Sequence, residues 1–398
     1  MCIRDRLYVS SAERANKKAL DALQKGAESL WFIIPSEEVD LKTLFRDLNL
    51  ENTPIYIKTE FLSEEFIDRL KDLSGKGSKI YLQTDIIGNL ARSGNWYHDL
   101  QQDHDVFEKS LEHTDHFSSL ISIDTGLYQN AGANIPQQLA YAMAHANEYL
   151  NHLSKSGSLS EEKKKNLKFQ FLTATGPNYF FEIAKIRALR LLFSTIAREY
   201  GVSEKCHVLA QPSKRNKTLY DFNVNLLRTT TECMSAVLGG ADAVCNMAYD
   251  ALYHKNNKFG NRIARNQLLI LKHESYFEKV SNPANGSYYV ENLTHQFADK
   301  ALDIFKEIEK GGGFLNQLKE GIIQKKISES AAKEQDQFDS GELVLIGTNK
   351  FPNPEDRMKE ELELYPFLKF KPRKTLLQPI LERRLAEKTE QERIKKEA

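Results

Sequence analysis

The sequence predicts an α/β chain folded as a closed (β/α)8 barrel of the TIM type, followed by a helical C-terminal extension. Three observations predict it. A short apolar, β-rich run, a polar loop and a segment of period 3.6 recur eight times between residues 7 and 280. The strand runs are continuously apolar, as in a parallel sheet covered by helices. Eight such units in about 250 residues match a closed barrel. An open doubly wound sheet would usually carry a Gly-rich phosphate turn, and neither G-x-G-x-x-G nor G-x-x-x-x-G-K-[ST] occurs.

The elements follow in order. Runs 7–11 (LYVSS), 29–35 (SLWFIIP), 54–59 (PIYIKT) and 79–85 (KIYLQTD) are the first four strands. Their helices are AERANKKALDALQKGA, DLKTLFRDL, SEEFIDRLKDLS and WYHDLQQDHDVFEKSLEH. Runs 119–125 (SLISIDT), 169–175 (FQFLTAT), 206–213 (CHVLAQPS) and 242–248 (DAVCNMA) complete the eight. They lead into IPQQLAYAMAHANEYLNHL, YFFEIAKIRALRLLFSTIAREYG, DFNVNLLRTTTECMSAVLGG and NRIARNQLLILKHES. Beyond the barrel, residues 281–350 read as a helical extension, stopped once by the glycines at 311–313, with a lone strand LVLIGTN at 343–349. Residues 351–398 turn to proline and charge and read as an extended or helical tail or linker. Residues 1–6, MCIRDR, read as a non-native leader in front of a chain truncated at both ends.

Composition excludes several classes. With 55 basic and 55 acidic residues the net charge is zero, so nothing draws the chain to nucleic acid or to a membrane surface. Apolar runs such as LWFII (30–34) fall far short of the roughly 20 residues a bilayer needs. Cys2, Cys206, Cys233 and Cys245 lack C-x-x-C spacing, and no secretory signal opens the chain. A reducing, cytoplasmic setting is expected.

In this fold the strand C-termini form the active face. They supply Lys58, Gln83, Asp85, Asp124, Tyr128, Gln211 and Asn246, and the loop after the seventh strand adds Lys214, Arg215 and Lys217. Lys58 with Asp85 or Asp124 would make an acid–base pair. A salt-linked rim is the plainer reading. His207 reads as packed inside the seventh strand, and His98, His104, His113 and His116 as members of a solvated helix face rather than a metal site. Cys245 reads as a small buried hydrophobe before a nucleophile.

At LLRTTTECMSAVLGGADAVCNMAYDALYHKNNKFGNRIARNQLLILKHES (226–275) the sequence resembles the barrel of the methylmalonyl-CoA mutase family. FFEIAKIRALRLLF (180–193), RIARN (262–266), NPANGSYYVE (282–291) and FDSGELVLIGTNKF (338–351) carry the same resemblance. It implies an acyl-CoA isomerase that works by radicals from adenosylcobalamin, with the substrate threaded through the barrel axis and the cofactor on a separate C-terminal domain. Active members carry Gly-Tyr-His-Met-Gln-Glu-Ala-Gly after the fifth strand, where the His donates to the thioester carbonyl. Here the matching stretch is Thr125-Gly126-Leu127-Tyr128-Gln129-Asn130-Ala131-Gly132, so Gly126 replaces the Tyr and Leu127 the His. Leu donates no hydrogen bond. Cys245 replaces a mouth His, and Pro212-Ser213-Lys214-Arg215 replaces a Thr-Ser-Gly-Trp turn. None of the ten histidines has Asp two residues before it, so the cobalt-binding Asp-x-His-x-x-Gly motif is missing.

The resemblance is therefore to the non-catalytic small (β) subunit of two-subunit members. It implies no catalytic residue, metal or cofactor on this chain, a cobalamin-binding domain absent, and adenosylcobalamin on a catalytic large subunit in a heterodimer of propionate metabolism. Lys58, Gln83, Asp124, Tyr128, Gln211 and Asn246 would be a vestigial mouth. The tail around YPFLKFKPRKTLLQPIL (365–381), apolar and interrupted by prolines 366, 372 and 379, is expected to run extended over the partner, the alternative being a tail packed on its own barrel or toward a missing C-terminal domain. Two alternatives stand beside this. One is a competent mutase barrel using another donor such as Tyr128, with cobalamin on a different chain. The other is an unrelated lyase working through a Lys58 Schiff base.

Overall fold

A computed structural model describes residues 2–157, 159–369 and 373–397. Strands β1 (Cys2–Tyr8), β2 (Ser29–Ile34), β3 (Ile55–Thr59) and β4 (Ile80–Leu82) alternate with α1 (Ala12–Gln24), α2 (Leu41–Leu44) and α3 (Glu64–Leu73). Helices α4 (Ile86–Ser93) and α5 (Leu100–Ser110) separate β4 from β5 (Ile121–Asp124). Then come α6 (Gly126–Ala131), α7 (Ile135–Ser156), α8 (Glu161–Asn166), β6 (Phe169–Thr175), α9 (Tyr179–Glu199), β7 (Cys206–Pro212), α10 (Val224–Leu238), β8 (Ala243–Val244) and α11 (Lys258–Leu269). The chain ends in α12 (Tyr288–Lys310), α13 (Phe314–Lys319), α14 (Ile322–Asp339) and α15 (Glu387–Lys396).

All strand pairs are parallel, in the order β4-β3-β2-β1-β8-β7-β6-β5. The ring closes between β4 and the segment leading into β5: Leu82 N donates to Ser119 O at 2.9 Å and Ser118 N to Ile80 O at 2.7 Å. Alternation sorts the side chains. Ile3, Phe32, Ile57, Phe171 and Val208 point outward into the main core with the helices. Trp31, Tyr56, Leu172, Leu209, Ala243 and Cys245 form a separate cluster inside the ring, with Ile33 and Tyr81 packed on it.

Four expectations need correcting. The first strand starts at Cys2 rather than near residue 7, because residues 2–6 extend the ladder on β2 and β8. Residues 343–349 are not a strand: Asn349 accepts from Leu345 N at 2.7 Å and donates to Phe338 O and Leu343 O, holding a turn with one isolated bridge, Ile346 to Lys350. The face of α5 that carries His104 is not solvated. Asp103 is fully buried and accepts from Tyr97 N at 2.8 Å and His98 N at 3.0 Å, and His104 packs on Trp96 and His152.

The tail is the fourth. Residues 376–385 lie on this chain's own barrel as a strap. Leu376 N donates to Gly94 O, Ile380 N to Ala91 O, Arg383 N to Asn130 O and Leu385 N to Arg215 O, at 2.8–3.1 Å. Leu377, Ile380 and Leu385 are buried. The strap passes into α15, where Glu390 accepts from Leu219 N at 2.8 Å and pairs with Arg384 at 2.6 Å. Tyr365 and Leu376 remain exposed, and Phe370 and Pro372 lie outside the described residues.

Candidate functional site at the barrel mouth

The C-terminal ends of the strands open into two adjoining cavities of about 300 and 410 Å³, with the strap along one side. Lys58 and Asp124 meet here: Lys58 Nζ lies 3.0 Å from Asp124 Oδ2. Arg92 of α4 reaches the same oxygen at 2.8 Å. Burial works against an ionised Asp124, but the charges of Lys58 and Arg92 outweigh it and hold the carboxyl at about 2.

Beneath this pair lies Asp85, the N-cap of α4. Its carboxylate accepts from Gly88 N at 2.7 Å, Tyr149 Oη at 3.0 Å and Asp124 N at 3.0 Å. His145 Nε2 stands 2.9 Å away in ion-pair range, and its Nδ1 meets the Tyr128 hydroxyl at 3.0 Å. Burial opposes the charge on Asp85 as well, and the neighbouring His145 overcomes it, so its carboxyl titrates below the usual range. Residue 88 must be Gly here, because a Cβ would fall 2.1 Å from the Asp85 carboxylate.

Of the six expected mouth residues, Lys58, Gln83, Asp124 and Gln211 line the larger cavity, with Asp124 and Gln211 at the same end of the barrel. Tyr128 does not. It is fully buried on the inner side of α6 against Tyr141, His145 and Phe314, where desolvation raises its hydroxyl well above the usual value. Asn246 borders the smaller cavity, but its amide is turned to α11, donating to Ala264 O at 3.0 Å and Gln267 Oε1 at 2.9 Å. In the loop after β7, Lys214 faces the mouth, Arg215 pairs with Glu334 and Lys217 is buried against Glu232.

Gly126 forms part of the cavity wall, and a Cβ there would press on Asp124 Oδ1 at 3.1 Å. Leu127 packs in the outer core. Cys245 belongs to the lumen cluster, and burial pushes its thiol up to about 11, far from a thiolate nucleophile. His207 also points into the lumen, with Nε2 2.7 Å from the Tyr56 hydroxyl and its ring 4.4 Å from that of Tyr81.

Sequence reasoning missed Arg92, His145, Tyr149 and Glu382 of the strap. Arg92 had a signal: Ile86, Ile87, Leu90 and Ala91 after Asp85 form a short amphipathic helix ended by Gly94. His145 had none, because α7 is apolar nearly all round and its inner face is indistinct.

Among the described residues, no group of three His, Cys, Asp or Glu is placed to hold a metal, and no helix is long and apolar enough to cross a membrane.

A family profile described as methylmalonyl-CoA mutase matches residues 34–393. The chain is 34% identical over 353 residues to a protein named methylmalonyl-CoA mutase small subunit from Porphyromonas gingivalis, covering 85% of this chain and 57% of that protein. It is 31% identical over 366 residues to a Streptomyces virginiae protein of the same name, covering 88% and 58%. A methylmalonyl-CoA mutase large subunit from Porphyromonas gingivalis is 33% identical over 264 residues, covering 65% of this chain and 36% of that protein. The chain thus spans a little over half the length of its small-subunit relatives.

Proposed function

The chain belongs to the methylmalonyl-CoA mutase family, and from that premise we propose that it is a small-subunit barrel without turnover of its own. In this reading it supports a large subunit that binds adenosylcobalamin and interconverts methylmalonyl-CoA and succinyl-CoA. The observation that carries it is the filled barrel axis. The family resemblance implies a substrate threaded along that axis, and a pantetheine arm needs the axis open. Here Tyr56 and Tyr81, paired neighbours on β3 and β4, stack at 4.4 Å, 3° from parallel, and the ring of His207 on β7 meets them from the far side of the lumen, 4.4 Å from that of Tyr81. His207 is hydrogen-bonded to Tyr56, and Trp31, Leu172 and Leu209 fill the remaining space. Opening a channel would mean unpacking several aromatic rings, each worth about 1.5–3 kcal/mol of burial or more.

The mouth points the same way. Leu127 offers no donor, and Asp124 neutralises Lys58 at 3.0 Å, so the ammonium is engaged rather than free for carbonyl addition. That pairing weighs against the Lys58 lyase. Tyr128, the substitute donor of a competent mutase, is buried away from the cavity and bound to His145. The residues of this chain do not fit a corrin at the mouth either. The strap crosses that face, and His254, the histidine on its border, is paired with Asp250 at 3.2 Å. A corrin therefore belongs to the partner in this proposal, and no step is routed through it here.

The test is a titration of the isolated chain with adenosylcobalamin, followed by visible absorbance, and with acetyl-CoA, followed by calorimetry. Neither should bind. Co-expression with a large subunit should give a complex that turns over methylmalonyl-CoA. Turnover by this chain alone, supplied with adenosylcobalamin, would defeat the proposal.

A further inference from the structure

The larger mouth cavity keeps polar groups that no described residue satisfies. Gln83 is 5% exposed, and neither its Oε1 nor its Nε2 has a partner among the described residues. Trp31 is 2% exposed, and its Nε1 is likewise unpartnered. Both line the cavity, and such groups are costly to leave dry. On the wall, Lys58 and Arg92 share a single carboxylate oxygen of Asp124, and Arg92 also lies 3.9 Å from Glu382. The Lys214 backbone is held by Asn130 at 2.9 Å, but its ammonium faces the same space without a hydrogen bond or ion pair to any described residue. Unpaired donors, an unpaired amide oxygen and the unpartnered Lys214 ammonium thus line one cavity of about 410 Å³, within the range of small-molecule sites.

We propose that this cavity binds a small free monocarboxylic acid bearing a second polar oxygen, with the carboxylate on Lys214 and the second oxygen on the Trp31 and Gln83 donors. The proposal rests on the subunit reading above in one respect: the filled axis denies room to a thioester arm and leaves the mouth to a free acid. Charge selects a monoanion. Asp124, Asp85 and Glu382, the last 3.9 Å from Arg92, already place negative charge on the walls, which disfavours a phosphate dianion. The unpaired Gln83 and Trp31 atoms select an acid with a hydroxyl or carbonyl over a plain alkanoate.

The sequence contains only two tryptophans, so the variant Trp96→Phe leaves Trp31, on the cavity floor, as the sole reporter of indole fluorescence. Glycolate and 3-hydroxypropionate are the probes, with acetate, inorganic phosphate and acetyl-CoA beside them. Calorimetry on the unaltered chain provides the same constants without the substitution. At least one hydroxy acid is expected to give a saturable change with half-saturation at or below about 1 mM, tighter than acetate or phosphate. Lys214→Met, which keeps the aliphatic stem, should weaken it about tenfold or more. Gln83→Leu should weaken it severalfold and cost no stability, since that amide has no internal partner to lose. No saturable response to either hydroxy acid, phosphate binding as well as they do, or an affinity unchanged in Lys214→Met would overturn the site while leaving the subunit reading in place. Saturable binding of acetyl-CoA would overturn both.

Discussion

His207 enters the lumen on β7 with Tyr56 on one ring nitrogen and Tyr81 against its face. Burial holds its imidazole at about 4, against an ordinary value near 6.5. The folded chain thus binds this proton less readily than the unfolded chain. Stability from the neutral ring is present above about pH 6.5 and is lost as pH falls to about 4. Urea unfolding across that interval should show a loss on the order of 3 kcal/mol, and His207→Gln should flatten the profile. A wild-type profile already flat from pH 7 to 4 would contradict the packed lumen. Asp124 follows the same sign lower down, its contribution being lost as pH falls from about 4 to about 2. Leu127 makes the opposite point about replacing one residue. Because it sits in the outer core, Leu127→His buries a polar ring without a partner. The variant should lose about 1–3 kcal/mol by urea unfolding at pH 7, with no turnover of methylmalonyl-CoA. Activity in that single variant would show that the loop can bring residue 127 to the mouth.

Among the elements, the strap is held largely by backbone. Gly94, the left-handed C-cap of α4 at φ +80°, accepts from the strap, and a Cβ there would come 2.7 Å from Leu377 O and 2.8 Å from Thr375 Cβ. Gly94→Ala should therefore release the strap and speed tryptic cleavage at Arg383–Arg384. Gly77→Ala is the control, with φ +74° and open space around it: it carries the conformational cost of about 1 kcal/mol without the collision. Equal cleavage rates in the two variants would mean that Gly94 does not anchor the strap. The same element marks where sequence reading stops. The eight strands were legible because each is a short apolar run followed by a polar loop and a helical segment, and seven begin within two residues of expectation. The pair Lys58 and Asp124 was legible because it sits at strand ends. The strap was not, because its partners are the carbonyls of Gly94, Ala91, Asn130 and Arg215, and carbonyls leave no mark on side-chain pattern. The lumen was half legible: Trp31, Tyr56 and Tyr81 occupy plain strand positions, but only the closed ring shows that alternation turns all three inward.

For the whole molecule, the question is what the tail does for the assembly. An extended arm on a partner would leave its apolar residues uncovered in this chain, and Tyr365 and Leu376, at 57% and 71% exposure, are uncovered. Leu377, Ile380 and Leu385 are not, and the buried Arg384–Glu390 pair ties the strap to α15 while its members bond Lys217 O and Leu219 N of the loop after β7. At about 1.5–3 kcal/mol for each buried Leu or Ile, the strap contributes several kcal/mol to the barrel that carries it. That is a large part of the 5–15 kcal/mol by which domains are ordinarily stable. Deleting residues 376–398 should therefore lower the unfolding midpoint of the isolated chain, before any partner is added. Co-expression of the truncated chain with a large subunit should still give a heterodimer, because the deletion removes a lid from the mouth and only a margin of exposed apolar surface. Thermal unfolding of the two forms, with size-exclusion chromatography of each beside the large subunit, separates the possibilities. A truncated chain that keeps its midpoint but no longer co-elutes would place the tail on the partner, and the strap seen on this barrel would then be its resting position.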